Sequence, residues 1–254
     1  MTAYVQRNQP PGVPPLELTG ERTLPDIPLE NYWFQRHLAV YEWISARAIG
    51  RRVLDMACGE GYGSEVLSRT AASVVGVDAN PDAHEHAALR YQRQNLRFER
   101  GMVEMFGEPG TFDVVVFLQT IEHVQEPAAV LEHFRTLLAP GGVAYVSTPN
   151  VLTLAPEGAE KSGNPWHVRE YRAEEFEALC RSVFDRVELL GLFHARKLRV
   201  HELALSAGWD AVHARLGITK AFYDRFTRAI SSSDFALRPS GLDRALDFLA
   251  VCRE

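Results

Sequence analysis

The stretch Val53-Leu54-Asp55-Met56-Ala57-Cys58-Gly59-Glu60-Gly61-Tyr62-Gly63 carries an apolar strand into a glycine-rich turn, and a second apolar run, Val74-Val75-Gly76-Val77, ends in Asp78. A helical pattern fills the space between them. Strand, glycine turn, helix and a second strand ending in a carboxylate make the layout of a nucleotide-handling βαβ unit. The glycines are spaced Gly59-x-Gly61-x-Gly63 rather than G-x-G-x-x-G. Glycines let backbone approach a ligand and admit unusual dihedrals. Asp78 can accept hydrogen bonds from a ribose diol. Asp55 lies at the end of the first strand, where a carboxylate repels a pyrophosphate but suits a cationic or ammonium-bearing ligand.

Outward from this unit, strands and helices alternate. An aromatic-rich helix is expected from about Leu29 to Ala48, with Tyr32, Trp33, Leu38, Tyr41 and Ile44 near helical spacing. Strands are expected at Arg52–Met56, Ser73–Asp78, Leu96–Glu99, Phe112–Leu118 and Val143–Ser147. Asn80-Pro81 supplies a cap and a first-turn proline for the helix after the second strand. Glu126-Pro127 opens another helix, and Pro140-Gly141-Gly142 turns into the fifth strand. A helix near Ala173–Ser182 and a strand near Val187–Leu192 follow, and Leu246–Cys252 reads as the terminal strand. Residues 195–240, mostly helical, are too long for a hairpin loop and read as an insertion over the sheet's open end. The alternation implies an α/β fold on a mostly parallel sheet with right-handed crossovers. Residues 1–30 are expected as an extended, proline-rich segment ahead of the domain.

Bulk properties narrow the classes. A chain of 254 residues, 46% hydrophobic and 24% charged, has the make-up of a globular protein with a sizeable core. The net charge of −6 argues against a general nucleic-acid partner, which needs a basic face. Cys58, Cys180 and Cys252 cannot all pair and show no metal spacing, so a reduced, cytoplasmic setting is expected. No secretory leader or membrane-span run is visible.

The turn resembles the S-adenosylmethionine (SAM) site of class I methyltransferases, whose first motif has an acidic residue before the glycines. The resemblance extends to Gly101-Met102-Val103-Glu104 after the third strand, to Phe112-Asp113-Val114-Val115-Val116 and to Leu137-Leu138-Ala139-Pro140-Gly141-Gly142. It implies a Rossmann-like, seven-stranded sheet with an antiparallel terminal strand, and SAM as donor with S-adenosylhomocysteine (SAH) as product. On the matching positions it implies a cofactor set of Asp55, Ala57, Gly59, Gly61, Tyr62, Asp78, Ala79, Met102, Val103 and Gln119, with Arg36, and also His37, either reaching the cofactor carboxylate or closing a salt bridge within the N-terminal segment. Many members carry Asp where this chain has Met102, so the backbone at Met102 and Val103, or Glu104, would meet the adenine. An NAD dehydrogenase shares Asp78 but leaves Asp55 and the antiparallel strand unexplained.

Gln119-Thr120-Ile121-Glu122-His123 follows the fourth strand and resembles the Glu-His element of class I O-methyltransferases acting on sugars and quinone precursors. An alcohol acceptor must lose its proton, which suits a histidine. His123 is the expected general base, with Glu122 orienting it; the alternatives are a histidine that caps the following helix or orders the loop, and a Glu122 that serves as a structural hydrogen-bond partner. The cluster Asn164-Pro165-Trp166-His167-Val168-Arg169-Glu170-Tyr171, following Ser147-Thr148-Pro149-Asn150, suits a polyhydroxylated acceptor. Asn150, Trp166, His167, Arg169 and Tyr171 are its candidate contacts. His194 and Arg196, at the start of the insertion, are candidates for an acceptor phosphate or carboxylate. Gly20-Glu21-Arg22-Thr23 through His37, with Gly191-Leu192-Phe193-His194, resembles actinobacterial methyltransferases associated with methylglucose lipopolysaccharide synthesis, in which the N-terminal segment folds over the cofactor pocket. That resemblance implies a sugar hydroxyl on an oligosaccharide or glycolipid precursor as the methylated group. Alternatives are a small phenol or quinone-type metabolite, or a SAM-binding scaffold without turnover. Mg²⁺ occurs in some sugar O-methyltransferases, but no spacing here singles out a metal site, and none is expected.

Overall fold

The chain reaches the sheet through α1 (Asn31–Ser45), which lays Val40, Tyr41 and Ile44 into the core. The computed structural model describes residue 6 and residues 9–18, 22–156, 159 and 161–254. Gly20, Glu21 and Gly158 lie outside the described residues.

β1 (Arg52–Met56) and β2 (Ser73–Asp78) run parallel, with Asp55 level with Gly76. Between them, α2 (Tyr62–Ser68) starts from Gly61 at φ +95°. A Cβ at Gly61 would stand 2.8 Å from the Ala87 Cβ, so left-handed backbone and close packing both demand glycine there. As the sequence predicts, Asn80 caps α3 (Pro81–Arg90), its side chain accepting from the Asp82 and Ala83 amides. β3 (Leu96–Arg100), β4 (Phe112–Leu118), α4 (Pro127–Leu137) and β5 (Leu138–Pro149) complete the parallel half. The expected turn at Pro140-Gly141-Gly142 lies inside β5. Leu138 pairs with Phe112 and Val143 with Val114, so the intervening residues bulge out of register.

A four-residue turn of helix, α5 (Val151–Leu154), then α6 (Ala173–Arg181) lead to β6 (Arg186–His194). Three helices follow, α7 (Arg196–Ser206), α8 (Trp209–Arg215) and α9 (Thr219–Ala229), then β7 (Phe235–Arg238) and β8 (Asp247–Arg253). The sheet order is β3-β2-β1-β4-β5-β8-β6-β7. β8 runs antiparallel to β5 and β6, as expected of the terminal strand. The described sheet has eight strands rather than the expected seven. The extra one, β7, lies within the segment read as mostly helical; its Phe235-Ala236-Leu237-Arg238 pairs with β6 and forms the sheet's edge.

One apolar layer joins α4 and α6 to the sheet, with Phe117, Phe134, Phe176 and Phe248 buried in it. The other joins α1 and α2 to the opposite face. Among the described residues no helix is long and apolar enough to cross a membrane. The order reverses between β1 and β4, and ligands of such sheets collect beyond the carboxyl ends of the strands at that switch point.

Candidate active site

A cavity of about 340 Å³ opens at that switch point, within the ~300–1,000 Å³ range of small-ligand pockets. The ends of β1 and β2 supply Ala57, Gly59, Asp78 and Ala79; Tyr62 comes from α2, and Gln119 and His123 follow β4. Ala57 at φ +56° and Gln119 at φ +52° are non-glycine residues in left-handed backbone. Such strain collects where a site holds its backbone in place. The Gln119 amide and its side-chain Nε2 both donate to the Ser147 hydroxyl on neighbouring β5, at 3.1 and 3.0 Å.

Asp78 accepts from the Gly59 amide through Oδ2 (2.8 Å) and from the Asn80 amide through Oδ1 (2.9 Å). These bonds fix the carboxylate at the cavity wall, and each oxygen keeps a second lone pair for a ligand hydroxyl. A Cβ at Gly59 would meet nothing within 4 Å, so the glycine's role is its left-handed turn, at φ +57°.

Asp55 is fully buried behind this wall rather than in it. Ser64 donates to its Oδ2 at 2.6 Å, and Tyr41, whose ring lines the cavity, donates to its Oδ1 at 3.2 Å. Burial pushes the Asp55 carboxyl up to about 7. Direct contact between Asp55 and a ligand is therefore not what the fold provides; Tyr41 stands between the carboxyl and the cavity. Gly61 likewise serves the turn and stays out of the cavity wall.

Three other expected cofactor contacts are placed elsewhere. Met102 and Val103 do not line the cavity: residues 102–106 close a turn on the Met102 carbonyl, leaving Met102 half exposed. Arg36 is spent on Asp247, with Nε to Oδ2 at 2.6 Å and Nη2 to Oδ1 at 2.5 Å, both side chains nearly fully buried. Its neighbour His37 does line the cavity, where burial pulls the imidazole down to about 4 and keeps it neutral.

His123 sits in a single helical turn, Ile121–His123, directly beyond β4. Its Nδ1 lies 2.8 Å from the Trp166 carbonyl. A carbonyl can only accept, so this contact puts the proton on Nδ1 and the basic lone pair on Nε2. The Glu122 carbonyl accepts from the Val168 and Arg169 amides, at 2.9 and 3.1 Å. The 164–171 loop is thereby stitched to the Glu-His turn. The Glu122 carboxyl is buried, takes a bond from the Thr148 hydroxyl at 3.1 Å, and is pushed up to about 8 by burial. The His167 ring stands edge-on to His123 at 5.0 Å, held by Glu170 at Nδ1 (2.7 Å) and Asn164 at Nε2 (3.0 Å). Glu122, His123 and His167 bring one donor atom each to within 4.8 Å of one another, a carboxylate–imidazole set of the kind that takes a transition metal.

Of the other expected acceptor contacts, Trp166 is exposed beside His123. The Arg169 guanidinium lies 5.2 Å over the Tyr171 ring. Four candidates prove structural or remote. Asn150 caps α5, and its amide is consumed by the carbonyls of Leu242, Asp243 and Ala245, which ties β5 to the turn before β8. Tyr171 is fully buried against Phe176. His194 bonds the Tyr32 hydroxyl at 2.8 Å, and Arg196 bonds Ser233 at 3.2 Å, both outside the cavity wall. The wall also includes Arg22 and Thr23 of the N-terminal element and Thr120 of the Glu-His element, none singled out as a contact by the sequence, and Tyr41 and Asp247, which no motif marks. Tyr41 reads in sequence as a core residue, and Asp247 as the first turn of an apolar strand.

The profile of the methyltransferase domain matches residues 29–203. The chain belongs to the methyltransferase-domain family. It is 36% identical to a probable SAM-dependent methyltransferase of Mycolicibacterium smegmatis, over 93% of this chain and 94% of that one. It is also 36% identical, over 64% of its own length and 69% of the other, to a ubiquinone biosynthesis O-methyltransferase of Albidiferax ferrireducens. Among solved structures, a possible histamine N-methyltransferase from Thermotoga maritima shares the fold, with a TM-score of 0.59 at 14% identity, covering 89% and 95% of the two chains. The protein is thus a SAM-dependent methyltransferase on a Rossmann-like sheet. The cavity suits that cofactor: a fixed carboxylate for a diol, a glycine turn open to close approach, and a buried carboxylate behind the wall to favour a cation.

Proposed function

We propose that the protein is an O-methyltransferase acting on a sugar hydroxyl of an oligosaccharide or glycolipid precursor, with His123 as general base. The bound cofactor supplies an electrophilic methyl group on a sulfonium. Asp78 would hold the ribose, and the Gly59 turn would let the nucleoside approach the backbone. What the rest of the chain must do is hold a hydroxyl in line and take its proton.

The observation that carries the base assignment is the His123 Nδ1 contact with the Trp166 carbonyl. It orients the ring and makes Nε2 the basic atom, in a residue that lines the cavity. Support for a sugar comes from the same loop. Trp166, 54% exposed, offers a stacking face on the loop that holds the base, and the Arg169 guanidinium offers donors for hydroxyls. A reduced, cytoplasmic setting belongs to the same proposal.

A second reading, methylation of a small phenolic or quinone-type acceptor, is favoured by the similarity to ubiquinone biosynthesis O-methyltransferases. Transfer from labelled SAM to a panel of glycans, glycolipid precursors and phenols separates the two. Label in glycans, lost in His123→Ala by about 10²–10⁴-fold with SAH affinity unchanged, supports the proposal. Label only in phenols overturns the sugar acceptor, and full activity in His123→Ala overturns the base.

A further inference from the structure

Beyond the acceptor, the structure bears on how the amino-acid end of the cofactor is held. That end carries a carboxylate, and a carboxylate in a half-enclosed site needs a cation or several donors. The charged groups on the cavity wall are few. Asp78 and Asp247 are carboxylates, and Glu60 is a third. Asp247 is already matched by Arg36 behind the wall. Glu60 is turned inward to His86, Arg90 and Tyr91. Of the lining histidines, His37 is kept neutral by burial, and His123 sits at the β4 end where the acceptor would react. Arg22 remains. It lines the cavity, half-buried, and has no hydrogen-bond or ion-pair partner among the described residues.

Arg22 does not belong to the sheet. It sits on the segment ahead of α1, and that segment is pinned across the cofactor turn from several sides. The Thr23 hydroxyl bonds the Tyr62 hydroxyl at 3.0 Å. Asp26 pairs with Arg90 of α3 at 2.9 Å. The His86 Nδ1 meets the Pro14 carbonyl at 2.7 Å, and Gln6 donates to Glu60 at 3.3 Å. Leu16, Leu24 and Ile27 bury one another beneath it. A strap held this firmly positions the wall-lining guanidinium of Arg22 rather than leaving it to wander.

We propose that Arg22, delivered by the N-terminal strap, is the anchor for the cofactor's carboxylate, in place of Arg36. The assignment rests on SAM as cofactor and is independent of which acceptor is methylated. A guanidinium offers the paired donors that a carboxylate takes side by side, which an ammonium does not.

Titration calorimetry on the full chain tests this with two neutral thioethers: SAH, which carries the carboxylate, and 5′-methylthioadenosine, the same nucleoside without the amino-acid end. Wild type should bind both; if it binds neither, the cofactor reading itself fails. Arg22→Gln should weaken SAH by about 10- to 100-fold, as expected for a charge-assisted pair, and leave methylthioadenosine within about 2-fold. Arg22→Lys should recover part of the loss. Equal loss for both ligands would mean that Arg22 only shapes the strap, and no loss for SAH would overturn the assignment outright. So would an SAH-selective loss that appears in Arg36→Gln and not in Arg22→Gln.

Discussion

Asp55 is maintained at a cost that can be measured. Its carboxyl is fully buried and titrates at about 7 in the fold against an ordinary value of 3.8, with burial the largest cause and the Ser64 and Tyr41 hydroxyls opposing it. Between those two values the native state holds a proton that the unfolded chain has lost. The stabilisation from that proton is whole below pH 3.8 and gone once pH passes about 7. At about 1.4 kcal/mol per pH unit, ionising Asp55 in the fold costs ~4 kcal/mol. Asp55→Asn keeps an acceptor for Tyr41 and can donate to the Ser64 hydroxyl, yet never ionises. Without cofactor, the variant should gain on wild type as pH rises, by up to ~4 kcal/mol at pH 8, or roughly 8–16 °C in melting temperature for a chain of this size. At pH 4.5, still above the unfolded value of 3.8, the gap should fall to about 1 kcal/mol. The same change should weaken SAM, which carries a sulfonium and an ammonium, more than methylthioadenosine, which carries neither. Denaturant unfolding at pH 4.5, 6 and 8 reads the first effect and calorimetry the second. A variant no more stable than wild type at pH 8, or a stability gap that ignores pH, would refute the reasoning.

Three further outcomes follow from the geometry. Arg36→Met strips the partner from buried Asp247 and should cost about 3–5 kcal/mol, read as a fall in melting temperature and a shallower unfolding midpoint in urea. Gly63→Ala would set a Cβ 2.1 Å from the Tyr41 ring; it should destabilise by about 1–3 kcal/mol and weaken SAH, because Tyr41 must leave Asp55 and the cavity wall to make room. Zn²⁺ or Ni²⁺ should suppress methyl transfer by taking the donors of Glu122, His123 and His167, and chelation should restore it; His167→Ala should raise the inhibitory metal concentration by about 10-fold or more, and inhibition unchanged in that variant would place the metal elsewhere.

The parallel half of the fold was legible because each of its signals is local. A buried strand running into glycines, an Asn-Pro cap and a strand ending in Asp78 each act within a few residues, and the structure places them as read. β7 was not legible, because four residues between Ser-rich and Pro-Gly segments carry too little pattern to outweigh the helices before them. The polar residues of the site divide along the same line. Asp78 and His123 sit where their own strands end, so strand order alone delivers them to the cavity. Arg36 and Asn150 depend on partners far along the chain, Asp247 and the carbonyls of 242–245, and Tyr171 is drawn into the core beside Phe176 of the next helix. Polarity in sequence says that a side chain needs a partner; it does not say whether the partner is ligand or protein. The loss of Arg36 to Asp247 is what exposes Arg22 as a candidate, and no spacing rule connects those three.

The Glu122-His123 turn, proposed here to carry the base, and the 164–171 loop, proposed to meet the acceptor, are a single mechanical unit. The Trp166 carbonyl sets which nitrogen of His123 is basic, and the Val168 and Arg169 amides grip the Glu122 carbonyl one residue away. If the loop recognises the acceptor as proposed, a change in its path also changes how His123 is held. On the proposed mechanism, altering loop side chains alone cannot exchange acceptors; the backbone path through 166–169 must survive, because three of its peptide groups hold the Glu122-His123 turn. Side-chain substitutions at Trp166 or Arg169 leave those peptide groups in place and act on acceptor affinity. Insertions or deletions in the same four residues remove the grip and act on turnover. A loop chimera that kept the side chains, altered the path and retained full turnover would separate the two functions that the structure joins.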